Sequence, residues 1–410
     1  MLRKRSTVRS RLLLSLAAAA LALASLNALA ASTASPSALL SQVRGEVTLA
    51  SPSGTSQPQA LPLQQVADGA TLRLARGAEV VILCADDRVL RLTGPAAWSP
   101  GPGSCASGQA LPAGTYQRLV PARGQVRSFN GNLLEESASR SDDEEGKVPV
   151  LLNPRSPQRG QCLILESAPT ITWSAVAGAL EYELELQRGR QRQTERLAAA
   201  RVKCLEDRLS SPLRACSLDW PWAPLEPGEE VELLARAFTA DPDRPTREGD
   251  RSRLRRTSTS FSDPVNTELG ALDNLSLPPA TRELLRAAVL SEAGLPNEAA
   301  AALAASLDAQ PQAAAAARLG DLYLGLGLLR GAQNLYSLAE RWLPPRGGEN
   351  EVRAAVALGL GRLYLRRKDP QPLLAVQHLQ RAERLYRQLG WSTEADAAAL
   401  EKERAQRGSR

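Results

Sequence analysis

Short alternating runs of apolar and polar residues dominate the chain between Leu39 and about Val120. The runs VRGEVTLA, ATLRLA, EVVILCA and RVLRLTG are separated by clusters of Gly, Pro, Ser and Asp. An apolar residue at every second position is typical of strands with one buried face. The pattern predicts a small all-β domain over residues 38–125.

A second alternating region extends from Val148 to about Phe261. Its centre, APTITWSAVAGALEYELELQRG, places Tyr182, Leu184 and Leu186 on one face of a strand. LEPGEEVELLARAF then supplies a Pro-Gly turn and a further strand. We predict a second all-β domain over residues 148–262.

The last third of the chain is rich in Ala and Leu and contains an internal repeat. The matching positions are Gly294, Ala299, Leu303, Ser306 and Pro311 in one unit and Gly327, Ala332, Tyr336, Ala339 and Pro344 in the next. The period is 33 residues (327 − 294). A small residue at each helix contact and a proline closing each unit are typical of stacked helical hairpins. Residues 281–410 are predicted to form about three hairpins and a capping helix, STEADAAALEKERAQR, that faces solvent.

Two polar segments separate these regions. Residues 126–147 include four adjacent acids, Asp142 to Glu145, which indicate either a site for a cation or basic partner or a solvated linker. Adjacent like charges repel one another, so we favour the linker. Residues 263–280 are predicted to form a second linker because they are rich in Asn, Pro and Gly. The predicted fold class is thus multidomain, with all-β domains followed by an all-α domain.

The N-terminus has the features of a secretory signal. A basic stretch, MLRKRSTVRSR, precedes an apolar segment from Leu12 to Leu26 and small residues at Ala28 and Ala30. These features predict a signal peptide over residues 1–30, cleavage near Ala30, and a periplasmic or secreted protein. The alternative is an uncleaved segment that anchors the protein in the inner membrane, and only then is the membrane a partner.

Export changes the interpretation of the net charge. The chain has 50 basic and 44 acidic residues, a formal charge of +6, but five basic residues and no acid lie in the predicted signal peptide. The remaining charge is 45 − 44, or +1. A nearly neutral protein has no general electrostatic attraction for nucleic acid, so we expect no nucleic-acid partner.

Five cysteines in an oxidising compartment indicate disulfides rather than a metal site or a catalytic thiol. The local pairs Cys84 with Cys105 and Cys204 with Cys216 are the candidates, and each would close a short loop. Cys162 is either buried and reduced or replaces a member of the second pair.

The first β region resembles the FecR-type periplasmic domain. The resemblance rests on Val43, Gly45 and Val47, then Gly69, Leu72 and Gly77, then EVVILCADDRVLRL with its acidic turn at Asp86 and Asp87. Arg88 stands where the family usually has a turn glycine. Membership implies envelope signalling, but such regulators carry a cytoplasmic region before the membrane span, and only about ten residues precede the apolar segment here. The resemblance therefore implies a soluble version of the domain.

The second β region resembles fibronectin type III and related immunoglobulin-like sandwiches. Trp173, Val176, Gly178, Ala179 and Tyr182 follow the family's W-x-x-V-x-G-A-x-x-Y signature. In these sandwiches the tryptophan fills the core between the two sheets.

The helical region is similar to the tetratricopeptide repeat family. The family's key positions in the second unit are occupied by Leu319, Gly320, Tyr323, Gly327, Ala332, Tyr336, Ala339 and Pro344. In this family the first helix of each unit lines a concave binding face. The resemblance implies partner binding through Glu292, Asp321, Arg362 and Arg366, with a cationic face on the third unit.

No residue pattern indicates catalysis, a cofactor or a metal site. The single histidine, His378, falls on a repeat helix, and the sequence has neither a nucleophile elbow nor a phosphate-binding loop. Paired carboxylates, as in glycosidases, remain the enzymatic alternative.

Together these observations predict a non-catalytic, exported scaffold of the bacterial cell envelope. Its repeat array would bind a protein or peptide, and its β domains would serve as spacers or contact cell-wall glycan. The alternatives are a membrane-anchored sensor of the FecR type and, less favoured, a carboxylate-dependent glycan hydrolase.

Overall fold

The computed structural model describes most of the chain between residues 36 and 408. The described ranges are 36–50, 56–57, 59–60, 64–67, 69–84, 88–100, 147–156, 160–206, 214–243, 245–275, 277–344 and 351–408. The predicted signal peptide, the acids of the first linker, the Asp86–Asp87 turn and Cys105 lie outside them. Within the described residues, β strands occupy the chain up to Arg256 and eight helices follow, which confirms the order of β and α regions.

Two four-stranded antiparallel sheets form the N-terminal β unit, with strand orders β4-β1-β6-β7 and β3-β2-β5-β8. The strands are β1 (Pro36–Arg44), β2 (Val47–Ala50), β3 (Ser56–Gln57), β4 (Gln65–Ala67), β5 (Thr71–Leu74), β6 (Glu79–Cys84), β7 (Val89–Thr93) and β8 (Ala96–Trp98). Leu40, Leu72 and Ile82 meet in the core between the sheets. Gly45, at φ +76°, turns the chain from β1 to β2, and a Cβ there would lie 3.0 Å from the Ala78 Cα.

The second β unit consists of a larger and a smaller sheet, with strand orders β10-β18-β16-β12-β13 and β14-β15-β11-β9 and with β17 beside β16. Its strands are β9 (Leu151–Asn153), β10 (Cys162–Ile164), β11 (Ile171–Ser174), β12 (Ala179–Arg188), β13 (Gln191–Ala198), β14 (Lys203–Glu206), β15 (Arg214–Leu218), β16 (Glu230–Thr239), β17 (Thr246–Glu248) and β18 (Ser252–Arg256). Trp173 is fully buried in the core of this unit. Tyr182 packs edge-on against it at 5.6 Å between ring centroids, and its Oη accepts a hydrogen bond from the Val176 N–H.

The cysteines of the second β unit follow the predictions. Cys204 and Cys216 lie directly opposite each other on β14 and β15 and form a disulfide. Cys162 is buried and reduced, which is the first of its two predicted alternatives. Cys84 in the N-terminal unit is disulfide-bonded, and its predicted partner Cys105 lies outside the described residues.

The helices pack mainly against their neighbours in sequence. They are α1 (Thr259–Asp273), α2 (Pro279–Glu292), α3 (Pro296–Ala309), α4 (Ala313–Gly325), α5 (Leu329–Trp342), α6 (Glu351–Arg366), α7 (Pro372–Gln388) and α8 (Ser392–Gly408). Helices α2 with α3, α4 with α5 and α6 with α7 form three hairpins, and α8 packs on α7. Gly294 and Gly327, 33 residues apart in the sequence, both have φ +74° and end the first helix of the first two hairpins, as the repeat predicts.

Two expectations for the helical region are corrected. The predicted linker over residues 263–280 contains most of helix α1, because Leu269 and Leu272 lie three positions apart and bury against α2. Pro264 lies only five residues after the helix start at Thr259 and does not prevent the helix. Helix α8, predicted to face solvent, buries one face that includes Ala395 and Ala398.

Helices α2 and α3 are covered on two sides by the β units. Leu39 and Leu83 of the N-terminal β unit belong to the same apolar core as Leu284 and Leu285 of α2. Ser41 and Thr281, both fully buried, share a hydrogen bond of 2.6 Å across this interface. The second β unit contacts the first two hairpins from another side. The first hairpin therefore contacts both β units.

Asn297 on α3 joins the second β unit to the helices. Its Oδ1 accepts a hydrogen bond from the Arg155 backbone N–H at 3.0 Å, and its Nδ2 donates to the Arg155 carbonyl at 3.0 Å. The buried Arg155 guanidinium donates in turn to the Leu326 carbonyl at 2.7 Å and to the Leu151 carbonyl at 3.0 Å. One residue of the β unit is thus bonded to the ends of two hairpins.

We expect Asn297→Ala to destabilise the protein by about 2–4 kcal/mol, because two buried backbone groups of Arg155 lose their partner. The measurement is urea unfolding followed by tryptophan fluorescence. Asn266→Ala, at an exposed position of α1, is the matched control and should change stability by no more than about 0.5 kcal/mol. Equal stability of the two variants would show that the junction contributes nothing.

Candidate binding site

Charged side chains from α4, α6 and α8 converge around one buried tyrosine. We call this set the α4–α6–α8 cluster. Its members are Arg318, Asp321, Tyr336, Glu351, Arg362, Arg366 and Glu401. Three of the four predicted partner-binding residues, Asp321, Arg362 and Arg366, belong to it. The fourth, Glu292, is the exposed last residue of α2 and is not a member of this cluster.

Tyr336 on α5 occupies the centre of the cluster and is fully buried. Two glycines make room for its ring. A Cβ at Gly320 on α4 would lie 2.7 Å from Tyr336 Cε1, and one at Gly359 on α6 would lie 2.5 Å from Tyr336 Oη. Both distances are far below van der Waals contact, so the absence of side chains at these positions lets α4 and α6 enclose the ring.

The Tyr336 hydroxyl donates a 2.7 Å hydrogen bond to Asp321 Oδ1. Burial, reinforced by the negative charge of Asp321, raises the pKa of Tyr336 well above its ordinary value, so the hydroxyl stays protonated. Asp321 is an exposed residue of α4, but its carboxyl turns toward the buried tyrosine, and desolvation there raises its pKa. The Tyr336 hydrogen bond, Arg362 and Arg318 oppose that rise.

Arg362 is neutralised within the chain. Its Nη2 donates to Glu401 Oε1 at 2.6 Å and its Nε to Glu401 Oε2 at 2.9 Å, a two-point geometry that holds the guanidinium in place. Burial opposes the charge of Arg362, but the ion pair with Glu401 raises its pKa overall. An acid from the capping helix therefore reduces the positive charge that was expected on the face of the third unit.

Arg366 is a second arginine of the cluster, and its surroundings disfavour its positive charge. Its Nη1 donates to the Leu324 carbonyl of the neighbouring hairpin at 2.9 Å. Burial, together with the like charge of Arg362, lowers the pKa of Arg366. Arg318 on α4 also has a lowered pKa because it is desolvated. Acids of the chain offset part of these shifts, because Glu351 and Asp321 favour the charge of Arg318 and Glu401 favours the charge of Arg366.

Sequence reasoning missed two acids of the cluster, Glu351 and Glu401. Glu401 was assigned to a solvent-facing helix, but it lies in register with Ala398 and Ala405 on the buried face of α8. An acid within an apolar stripe at helical spacing was the signal that could have identified it. Glu351, the first residue of α6, follows a segment outside the described residues and carries no comparable pattern.

The remaining chemistry of the described residues is limited. His378 stacks on Tyr364 at 5.4 Å between ring centroids, and burial lowers its pKa. Within the described ranges, no group of three or more His, Cys, Asp and Glu side chains is placed to hold a metal ion. No helix in this part of the chain combines the length and apolar character of a membrane span.

Comparison with protein-family models finds none that matches the chain, and comparison with curated proteins finds no match either.

Gly359→Ala should lower the free energy of unfolding by about 1–3 kcal/mol, because its methyl group would overlap the Tyr336 ring. Gly270→Ala on α1 is the control, since nothing lies within 4 Å of a Cβ there. It should stabilise by about 0.5–1 kcal/mol through helix propensity. Chemical denaturation of both variants tests whether the helices enclose the Tyr336 ring this closely. If both substitutions stabilised the protein, the close packing of Gly359 on that ring would be contradicted.

Glu351 should make stability depend on pH. Desolvation raises the pKa of this half-buried carboxyl from 4.5 to about 7, although Arg318 opposes the shift. The folded protein then binds more protons than the unfolded chain between these values, so stability falls as the pH rises from about 4.5 to about 7.

Glu351→Gln should remove the loss of stability that Glu351 causes between pH 4.5 and about 7. The variant should then be more stable than the wild type at pH above about 7. Urea midpoints across this pH range provide the measurement. Glu403→Gln, at an exposed position of α8, should keep the wild-type slope. A Glu351→Gln profile parallel to that of the wild type would refute the assignment.

Proposed function

We propose that this protein is a non-catalytic scaffold of the bacterial cell envelope. In this proposal the helical hairpins form a tetratricopeptide-like array that binds a protein or peptide partner through the α4–α6–α8 cluster. The observation that carries the proposal is the convergence of Asp321, Arg362 and Arg366 with Tyr336 and Glu401 from four helices.

The charges of the cluster favour a polar partner. Arg366 is desolvated, and its charged form is opposed by Arg362 and favoured by Glu401, so a carboxylate from a partner would favour that form further. Asp321 is an exposed residue whose carboxyl is desolvated, so a donor group from the same partner would stabilise its ionised form. A peptide that presents an acidic group to Arg366 and a donor group to Asp321 matches both requirements.

The disulfide between Cys204 and Cys216 supports an oxidising compartment, because such bonds are rare in reducing cytosol. This agrees with the proposed signal peptide over residues 1–30.

We propose that the N-terminal β unit is a FecR-like domain and that the second is an immunoglobulin-like sandwich. Both β units pack on the helices, which favours a role in stabilising the helical array over a role as independent spacers. Contact with cell-wall glycan would use their remaining surface.

The test uses the full mature chain, since the helices share apolar core with the β units. Wild type, the double variant Asp321→Asn/Arg366→Gln and the control Arg384→Gln are each used to retain envelope proteins, which are quantified by mass spectrometry. Arg384 lies at an exposed position of α7 outside the cluster. We expect one set of proteins retained by wild type and control and reduced at least about 10-fold by the double variant.

Equal retention by all three chains would place binding elsewhere. N-terminal sequencing of the protein isolated from envelope distinguishes the remaining alternative, because an intact Met1 would favour a membrane-anchored sensor over an exported scaffold.

A further inference from the structure

A cavity of about 310 Å³ lies between the second β unit and the first helices. Strand β10 and the residues after it form one wall, and α1, α2 and α3 form the other. The apolar part of the lining includes Ile164, Leu269, Leu290 and Ala302. The cavity shares no residue with the α4–α6–α8 cluster. Its volume is at the lower end of the range for small-ligand sites.

Glu298 on α3 supplies a buried polar group to this cavity. Its Oε1 accepts a hydrogen bond from the Leu165 N–H at 2.8 Å. Its Oε2 is buried and has no hydrogen-bond partner among the described residues. A buried carboxylate oxygen without a partner carries a large desolvation cost, which a bound donor would remove.

The charge of the lining is negative. Three carboxylates line the cavity, those of Glu166, Glu283 and Glu298, against the one guanidinium of Arg286. That guanidinium is already occupied, because Arg286 Nη1 pairs with Asp273 at 2.9 Å and its Nε with Glu283 at 3.7 Å. Arg286 therefore does not compensate Glu298, whose Oε2 is an acceptor without a hydrogen-bond partner among the described residues.

We propose that this cavity binds a primary ammonium group carried on an alkyl stem. The ammonium would donate to Glu298 Oε2, and the stem would lie against Ile164, Leu269 and Leu290. Such a group occurs in free alkyl diamines and in the lysine side chain of a peptide. The walls come from the second β unit and the first hairpin, so a bound amine would link the two.

The test is isothermal titration calorimetry on the full mature chain with two amine probes and their neutral counterparts. The first pair is 1,5-diaminopentane and 1,5-pentanediol. The second pair is an acetyl-Gly-Lys-Gly amide and the same peptide with norleucine in place of lysine. We expect at least one amine to bind and both neutral probes to bind at least about 10-fold more weakly.

Glu298→Gln should weaken amine binding by about 10- to 100-fold, since it removes the charge and keeps the shape of the side chain. Asp308→Asn, an exposed acid on the same helix, is the control and should leave affinity unchanged. Glu283→Gln is a second variant in case Glu298→Gln does not fold, and it should weaken binding at least about 3-fold.

Tighter binding of the diamine assigns the site to a free small amine, and tighter binding of the lysine peptide assigns it to a partner protein. Either result supports an ammonium site. Amine binding no tighter than that of the neutral probes would overturn the proposal. The proposal would also be overturned if Glu298→Gln bound amines as tightly as Asp308→Asn does. If Glu298→Gln does not fold, the same comparison is made with Glu283→Gln.

Discussion

The burial of the first helical hairpin between two β units is the constraint on which the rest of the structure depends. An isolated hairpin has two apolar faces, and here one is covered by Leu39 and Leu83 and another by the second β unit. The polar groups trapped by this burial need partners. Asn297 supplies them by pairing with both the N–H and the carbonyl of Arg155, much as a neighbouring strand would.

This junction sets the start of the helical stack and so orients the hairpins that follow. Arg155 donates to the carbonyl of Leu326, where the second hairpin turns. The second and third hairpins then meet around Tyr336, which Gly320 and Gly359 admit by having no side chains. The charged cluster around that ring is a consequence of close helix packing, and helix α8 completes it through Glu401.

Local signals in the sequence were sufficient for much of this architecture. Alternation predicted β6 and β12, the spacing of Gly294 and Gly327 predicted two helix ends, and the signature around Trp173 predicted a buried tryptophan. The first and last of these depend on neighbours within a few residues, and the second depends on a repeat that can be read along the sequence.

The errors and omissions came from long-range contacts. The Asn, Pro and Gly content of residues 263–280 predicts a linker, but helix α1 forms there because two leucines bury against α2. The acid on α8 that neutralises Arg362 lies 39 residues away in the sequence. The pairing of Arg155 with Asn297 spans 142 residues, and no local pattern specifies it. The cavity beside Glu298 exists only because these distant segments meet.

In the proposed function, a partner contacts the α4–α6–α8 cluster in the assembled protein. A photo-crosslinking amino acid at position 366 of the full chain, activated in intact cells, tests it directly. The same substitution at position 384 is the reference for the exposed outer face of α7. We expect a discrete crosslinked product from position 366 and none from position 384. Identical products from both positions, or a product from position 384 alone, would contradict it.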